Sequence, residues 1–214
     1  MNVSSAEFDR SAPDLDSCPD ESLPEFAFIG RSNVGKSSLV NLLLGKRELA
    51  KVSATPGHTK MINFYNINRT WRLVDLPGYG FAEVARKNRE KFSEAVGEYL
   101  ANRPNLAGIF LLIDSRHPPQ KLDLEFVHWL GRCAAPFALV FTKTDKASPT
   151  RVQTNITAFL ASLAPTFDTL PEVYTTSVVQ RTGRTELLEV IGRAIAQAPA
   201  PVAAPKNPGN WPTT

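Results

Sequence analysis

Eight residues, Gly30-Arg31-Ser32-Asn33-Val34-Gly35-Lys36-Ser37, constrain this chain more than any other stretch. They read Gly-x-x-x-x-Gly-Lys-Ser, a phosphate-cradling loop that needs a strand before it and a helix after it. Both neighbours fit. Residues 25–29 (Glu-Phe-Ala-Phe-Ile) form a short apolar run suited to a buried strand, and residues 38–44 have the apolar density of a buried helix. In such a loop consecutive backbone N–H groups turn inward around phosphate oxygens, and the helix N-terminus adds partial positive charge. Gly30 and Gly35 permit close backbone approach. Lys36 can reach the outer phosphates, and the Ser37 hydroxyl can ligate Mg²⁺.

The remaining chain alternates strand and helix signals. Residues 61–67 alternate, with Ile62, Phe64 and Asn66 opposed to Met61, Asn63, Tyr65 and Ile67. Asn68-Arg69 reads as a hairpin turn into a second strand at 71–75. Residues 82–102 carry helix periodicity through Phe92, Val96, Tyr99 and Leu100, while Arg86, Lys87, Arg89 and Lys91 crowd the first half. The apolar run 106–113 suits a parallel strand covered on both faces. A helix stripe follows (Leu122, Phe126, Trp129, Leu130, Cys133), then a strand at 137–141. Ser148-Pro149 starts a further helix, residues 172–176 form a last strand, and Thr185 caps a final helix. The expected fold is a doubly wound α/β architecture: a six-stranded, mostly parallel sheet with one antiparallel strand.

Composition divides the chain into three. Residues 1–24 are acidic, aperiodic and punctuated by Ser and Pro, which reads as a disordered leader. A globular domain spans 25–198, and the Pro/Ala-rich residues 199–214 read as a disordered tail. The net charge of +3 hides an asymmetry, because seven of the 21 acids and only one of the 24 bases lie within residues 1–25. The body is therefore near +9, which suits a polyanionic partner such as RNA. Cys18 and Cys133 have no metal-like spacing, and packing is their default role. The N-terminus has no signal-peptide character, and 106–113 is too short to span a bilayer. The expectation is a cytoplasmic monomer with neither membrane nor DNA partner.

Three more motifs follow predicted strand ends, where ligands of open α/β sheets lie. After 71–75 comes Asp75-Leu76-Pro77-Gly78: the Asp can hold a Mg²⁺ shell through water, and the Gly78 N–H can bond a γ-phosphate. After 137–141 comes Thr142-Lys143-Thr144-Asp145. Guanine presents two adjacent donors, N1–H and the 2-amino group, and the Asp145 carboxylate can accept both. Adenine would leave it unpaired. Lys143 would cover the base with its aliphatic stem. Thr175-Thr176-Ser177, at the last strand end, would approach the guanine O6.

With Thr55-Pro-Gly-His-Thr59, Asp75-Leu-Pro-Gly-Tyr-Gly80 and Asp114-Ser-Arg-His-Pro118 added, the chain resembles the EngB (YihA/YsxC) family of bacterial GTP-binding proteins from about residue 26 to 195. That resemblance implies a Ras-like fold, bound GTP or GDP with Mg²⁺, and GTP hydrolysis. It also implies work on the large ribosomal subunit precursor and a requirement in cell division and septation. Ser37 and Thr59 match the family's Mg²⁺ ligands, Thr55 being the alternative threonine. Gly57, His58, Thr59, Lys60 and Met61 match the switch segment over the γ-phosphate, and Asp75 to Gly78 the second switch. Relatives usually read Ser-Ser-x-Lys-Lys-x-Gly in the O6 loop. Residues 175–183 here are one residue longer and lack the lysine pair, so the base contacts are open by one position.

Ras-like enzymes usually place a water-orienting glutamine directly after Asp-x-x-Gly, and this chain has Tyr79 there; the usual amide is missing, and even a Tyr79 that simply packs beside Phe81 is compatible with slow hydrolysis. In related GTPases without that glutamine, an asparagine at the position of Asn33 binds K⁺, which would supply charge stabilisation. Lys36, Thr59, Gly78 and Asn33 are thus the expected catalytic set. The basic run 86–91 is either a solvated helix face or a contact for ribosomal RNA, with Arg116 and His117 a second contact or loop packing. The rival to ribosome assembly is a division-site interaction protein gated by nucleotide state without direct RNA contact.

Overall fold

The computed structural model describes residues 1–46, 49–50, 61–80, 86–133 and 136–197, with the backbone only for 86–93. The Thr55 to Lys60 part of the switch segment, Phe81 and the Pro-rich tail lie outside the described residues. Seven strands, β1 (Ala6–Ala12), β2 (Glu25–Gly30), β3 (Ile62–Ile67), β4 (Trp71–Asp75), β5 (Leu106–Asp114), β6 (Phe137–Thr142) and β7 (Glu172–Thr175), form one sheet in the order β1-β3-β4-β2-β5-β6-β7. The helices are α1 (Lys36–Leu44), α2 (Arg86–Asn102), α3 (Lys121–Leu130), α4 (Pro149–Leu163) and α5 (Arg184–Gln197). β3 runs antiparallel to both its neighbours, β1 and β4, and every other pairing is parallel. Among the described strands, β3 is therefore the one that runs reversed.

Alternation sorts side chains between two cores. Ala27 and Ile29 of β2, with Ile109, Leu111 and Ile113 of β5, join the cluster containing Tyr99 of α2, Phe126 of α3 and Phe159 of α4. Phe26 and Phe28, with Phe110 and Leu112, join the cluster of Leu39 and Leu43 of α1 and Leu187 and Ile191 of α5. The central strands are apolar on both faces because both faces are covered. The β3–β4 hairpin turns through residues 68–70: Asn68 and Arg69, both at positive φ, are the central residues of a turn closed by the Thr70 N–H donating to the Ile67 carbonyl (3.0 Å). Ser148 caps α4 by accepting the Arg151 N–H at 3.3 Å. Thr185 does not cap α5, which already begins at Arg184.

The sheet has seven strands rather than six because part of the acidic stretch expected to be disordered folds. β1 pairs along β3 from Ala6↔Ile67 to Ala12↔Ile62, with a bulge between Phe8 and Arg10. Ala6 and Ala12 are buried, Phe8 packs edge-on against Tyr65, and the Asn68 carboxamide accepts from the Ser4 and Ser5 N–H groups. Several acids of this stretch, Asp9, Asp20 and Glu21, and the adjoining Glu25 have partners far along the chain. Glu25, with no solvent exposure, accepts from Tyr99 Oη (2.8 Å) and from Arg103 Nε and Nη2 (2.9 and 2.8 Å). Arg103 also donates to the Pro19 carbonyl, and Arg72 donates to the carbonyl and carboxylate of Asp20 while facing Asp9 at 3.4 Å. A buried carboxylate must be paired to stay charged, so these contacts tie residues 9–25 to the lower end of the sheet.

Arg103→Met would leave Glu25 short of its principal counter-charge. A loss of about 3 kcal/mol in urea unfolding is expected; a loss below about 1 kcal/mol would mean that Arg72 and Tyr99 suffice.

Candidate functional site

The upper ends of β2, β4, β6 and β7 bring the sequence motifs to one edge. Residues 30–35 leave β2 as a loop running into α1, whose N-terminal cap is Gly35 at φ 105°. A side chain there would be strained. Gly30 is required for a different reason, since a Cβ on it would lie 2.6 Å from the Leu112 carbonyl oxygen. Asn33 also has positive φ (63°) and is exposed, while Val34 is buried. Ser37 stands in the first turn of α1, where the leading N–H groups have no intrahelical acceptor. Those donors lie at the same end of the sheet as the motifs after β4 and β6.

Lys36 and Asp75 form a buried ion pair. It joins the lysine of the first motif to the carboxylate of the second, across β2 and β4. Leu76 is buried, and its N–H donates to the Phe28 carbonyl (3.0 Å), which continues the β4–β2 pairing past Asp75. Beyond Pro77, Gly78 is pressed onto the loop: a Cβ on it would lie 3.1 Å from both the Gly30 oxygen and the Ser32 nitrogen. Tyr79 N–H donates to the Gly30 carbonyl (3.2 Å), and Ser32 N–H donates to the Tyr79 carbonyl (3.1 Å). The segment after β4 is thus stitched to the first motif.

Tyr79 points into the core. Its hydroxyl donates to Asp123 Oδ1 of α3 at 2.7 Å, and its ring packs on Phe126 at 4.7 Å between centroids. Burial drives the phenol well above its ordinary pKa. Burial likewise pushes the Asp123 carboxyl up to about 6, outweighing the Tyr79 hydrogen bond and the nearby Arg31 guanidinium, which act the other way. The sequence motif marked Tyr79, but nothing local in the sequence identified Asp123 as its partner. A cleft of about 220 Å³ opens beside the loop, between Arg31–Val34 and the Asp114 to Gln120 turn, with Asp123 on its wall.

The third motif is wired to the first. Thr142 Oγ1 donates to the Val34 carbonyl (2.7 Å), and Lys143 Nζ donates to the Asn33 carbonyl (2.6 Å). Thr144 N–H and Oγ1 donate to the Thr176 carbonyl (3.3 and 3.2 Å). Asp145 Oδ1 accepts from Ser177 Oγ at 2.6 Å, and that hydroxyl beside it holds the carboxyl below the usual carboxylate range. Thr176 and Ser177 are buried, whereas Thr175 is exposed at the end of β7. Ser177 orients the acidic residue of the neighbouring loop. Arg116 forms a two-point pair with Asp114 (2.9 and 2.7 Å) and so packs its own turn, while His117 is exposed.

Comparison with known proteins places this arrangement. A family model described as "50S ribosome-binding GTPase" matches residues 25–143. The chain is 49% identical over 191 residues to a probable GTP-binding protein EngB of Bacteroides fragilis (strain YCH46), covering 89% of this chain and 95% of that protein. It is also 49% identical to its counterpart in Porphyromonas gingivalis (strain ATCC 33277), with the same coverage. A solved structure of a probable GTP-binding protein EngB superposes with a TM-score of 0.62 at 23% identity, over 81% of this chain and 99% of that one. Era in complex with MgGDPNP and nucleotides 1506–1542 of 16S ribosomal RNA superposes at 0.65 and 22% identity, over 84% of this chain and 58% of that one. These structural likenesses concern the fold.

Asp123 makes the site's stability pH-dependent in a definite direction. Its folded pKa of about 6 lies above the ordinary 3.8, so the folded state holds the proton more tightly and stability falls as pH rises between those values. Asp123→Asn keeps an acceptor for Tyr79 without the buried charge. It should raise unfolding stability by on the order of 2 kcal/mol at pH 8 and by much less near pH 4. Thermal unfolding of both proteins across that range measures the difference, and a pH-independent gap would contradict the assignment.

Proposed function

The chain belongs to the EngB family of GTP-binding proteins, and from that membership we propose that it is a GTP-driven switch with slow hydrolysis. In this reading it acts in assembly of the large ribosomal subunit in the cytoplasm and is needed for normal division and septation. The observation that carries the nucleotide assignment is the join between base loop and phosphate loop. Lys143 and Thr142 are bonded to the carbonyls of Asn33 and Val34, and Asp145 is held by Ser177 in the same assembly. Bonded in this way, the two loops would present phosphate donors and a carboxylate able to read guanine together. Residues 30–37 would bind the phosphates, Asp145 the N1–H and 2-amino groups, and residues 175–177 the region of O6.

The donor set suits Mg²⁺, a hard cation that prefers oxygen ligands. Ser37 offers a hydroxyl in the first turn of α1, and Asp75 is a carboxylate held beside Lys36. In our reading Thr59 supplies a second ligand from the switch segment, within 57–61. When bound, the ion would neutralise charge on the β- and γ-phosphate oxygens. Among this chain's residues, Lys36 would contact the outer phosphates and the Gly78 N–H would orient the γ-phosphate. The side chain at the usual water-orienting position is Tyr79, turned into the core and engaged by Asp123 and Phe126. It cannot also hold the attacking water, which supports a low intrinsic rate. Exposed Asn33, in a left-handed conformation within the phosphate loop, is our candidate for binding K⁺ in compensation.

For the ribosomal partner, support comes from the basic body of the chain and from Arg86, Lys87, Arg89 and Lys91 at the start of α2, just beyond the second switch. A contact there would form when nucleotide orders the switch. Among the described residues no helix is long and apolar enough to cross a membrane.

Turnover and binding test the nucleotide reading. GTP should bind at least about 100-fold more tightly than ATP, and Asp145→Ala should erase most of that ratio. GTP turnover should be faster in KCl than in NaCl at equal ionic strength; equal rates would remove Asn33 from the catalytic set. Co-sedimentation tests the partner. Replacing Arg86, Lys87, Arg89 and Lys91 by Ala should weaken binding to large-subunit precursors and flatten its salt dependence. Unchanged binding would move the contact elsewhere, and capture of division proteins without RNA would favour the interaction-protein reading.

A further inference from the structure

Lys143 sits in a conformation that its own chemistry does not favour. It is a non-glycine residue at φ 60°, where an L side chain crowds its backbone, and such strain persists only where surrounding contacts fix it. Its stem passes beside the loop glycine, with Cε 3.6 Å from where a Gly35 Cβ would stand. Its ammonium donates in two directions, to the Asn33 carbonyl at 2.6 Å and to Asp114 Oδ2 at 2.9 Å. Asp114 ends β5, one strand away from both the phosphate loop and Lys143.

The carboxylate of Asp114 is itself fixed. Arg116 donates to it from Nε, Nη2 and the backbone N–H, at 2.9, 2.7 and 3.1 Å. Those bonds and Lys143 hold the carboxyl down to about 2 although burial opposes them, so it stays ionised at any physiological pH. Arg116 and Lys143 therefore share one anion: the first fixes where it stands, and the second is held by it.

We propose that Asp114, oriented by Arg116, is a positioning residue for Lys143, setting the lysine stem as the shelf for the guanine base and tying the base loop to the phosphate loop. The inference rests on the nucleotide reading above. It assigns the Asp114-Ser115-Arg116 turn a role in nucleotide retention although Asp114 need touch no part of the nucleotide. With the carboxylate present, the ammonium has one well-determined position spanning two loops. Without it, the ammonium keeps a single neutral acceptor and the strained backbone loses a restraint.

A double-mutant cycle separates positioning from general support of the turn. Dissociation of N-methylanthraniloyl-GDP is measured for the full chain, Asp114→Asn, Lys143→Met and the double variant, with thermal unfolding of each. Asp114→Asn is nearly isosteric and retains an acceptor for the Arg116 N–H. It should speed release at least about tenfold in the native background, as expected for loss of a charged hydrogen bond. It should change release less than about twofold when Lys143 is already Met. Arg116→Gln should give a smaller acceleration that also vanishes in the Lys143→Met background. An equal effect of Asp114→Asn with and without Lys143 overturns the proposal, as does no effect in the native background. If the unaltered chain does not prefer GDP to ADP, the nucleotide reading falls and takes this inference with it.

Discussion

A carboxylate removed from water keeps its charge only if the protein supplies what water did, and Glu25 sets that requirement at the foot of β2. Arg103, Tyr99 and Arg72 meet it, drawing together the C-terminal end of α2, the start of β4 and the N-terminal segment. At the other end of the same strand, Gly30 lies so close to Leu112 that no side chain fits. β2 is thus held laterally by β4 and β5, covered on both faces, and chemically specified at each tip. The phosphate loop starts from a fixed point because the strand beneath it has nowhere to move.

From that point the site is assembled largely by side chains bonding to backbone carbonyls. Thr142 and Lys143 reach the carbonyls of Val34 and Asn33, and Thr144 reaches that of Thr176. Loops so joined pay their ordering cost during folding rather than on binding, which favours tight, specific recognition. The segment after β4 is joined differently. From Leu76 to Tyr79 it is stitched to β2 and the phosphate loop by backbone hydrogen bonds, with no side chain taking part in them.

How much of this was legible in the sequence depends on the range of the interaction. The central strands were readable because covered faces demand unbroken apolar runs, and the Asn68-Arg69 turn and Ser148-Pro149 start because their signals are local. The motifs could be placed at strand ends by the same logic. The N-terminal stretch was misread because Asp9, Asp20 and Glu21 look like solvated acids in any short window; Arg72 and Arg103, which pair with them, lie on β4 and after α2. Asp123, and the bond from Ser177 to Asp145, were obscure for the same reason. One faces Tyr79 across the core, and the other serves Asp145 from a neighbouring strand end. Dependence on distant partners, rather than unusual chemistry, separates what could be read from what could not.

The added strand β1 has a consequence for the molecule in a crowded cell. Without it β3 would end the sheet, offering a row of unpaired amides and carbonyls to any extended peptide, including another copy of the chain. β1 occupies that row and is itself a poor template, being bulged beside Phe8 and carrying Glu7, Asp9 and Arg10. The opposite border, β7, is only four residues long. Both borders of the sheet are thereby blunted against runaway strand addition, and the acidic N-terminal stretch acts as a guard against aggregation as well as a structural clamp.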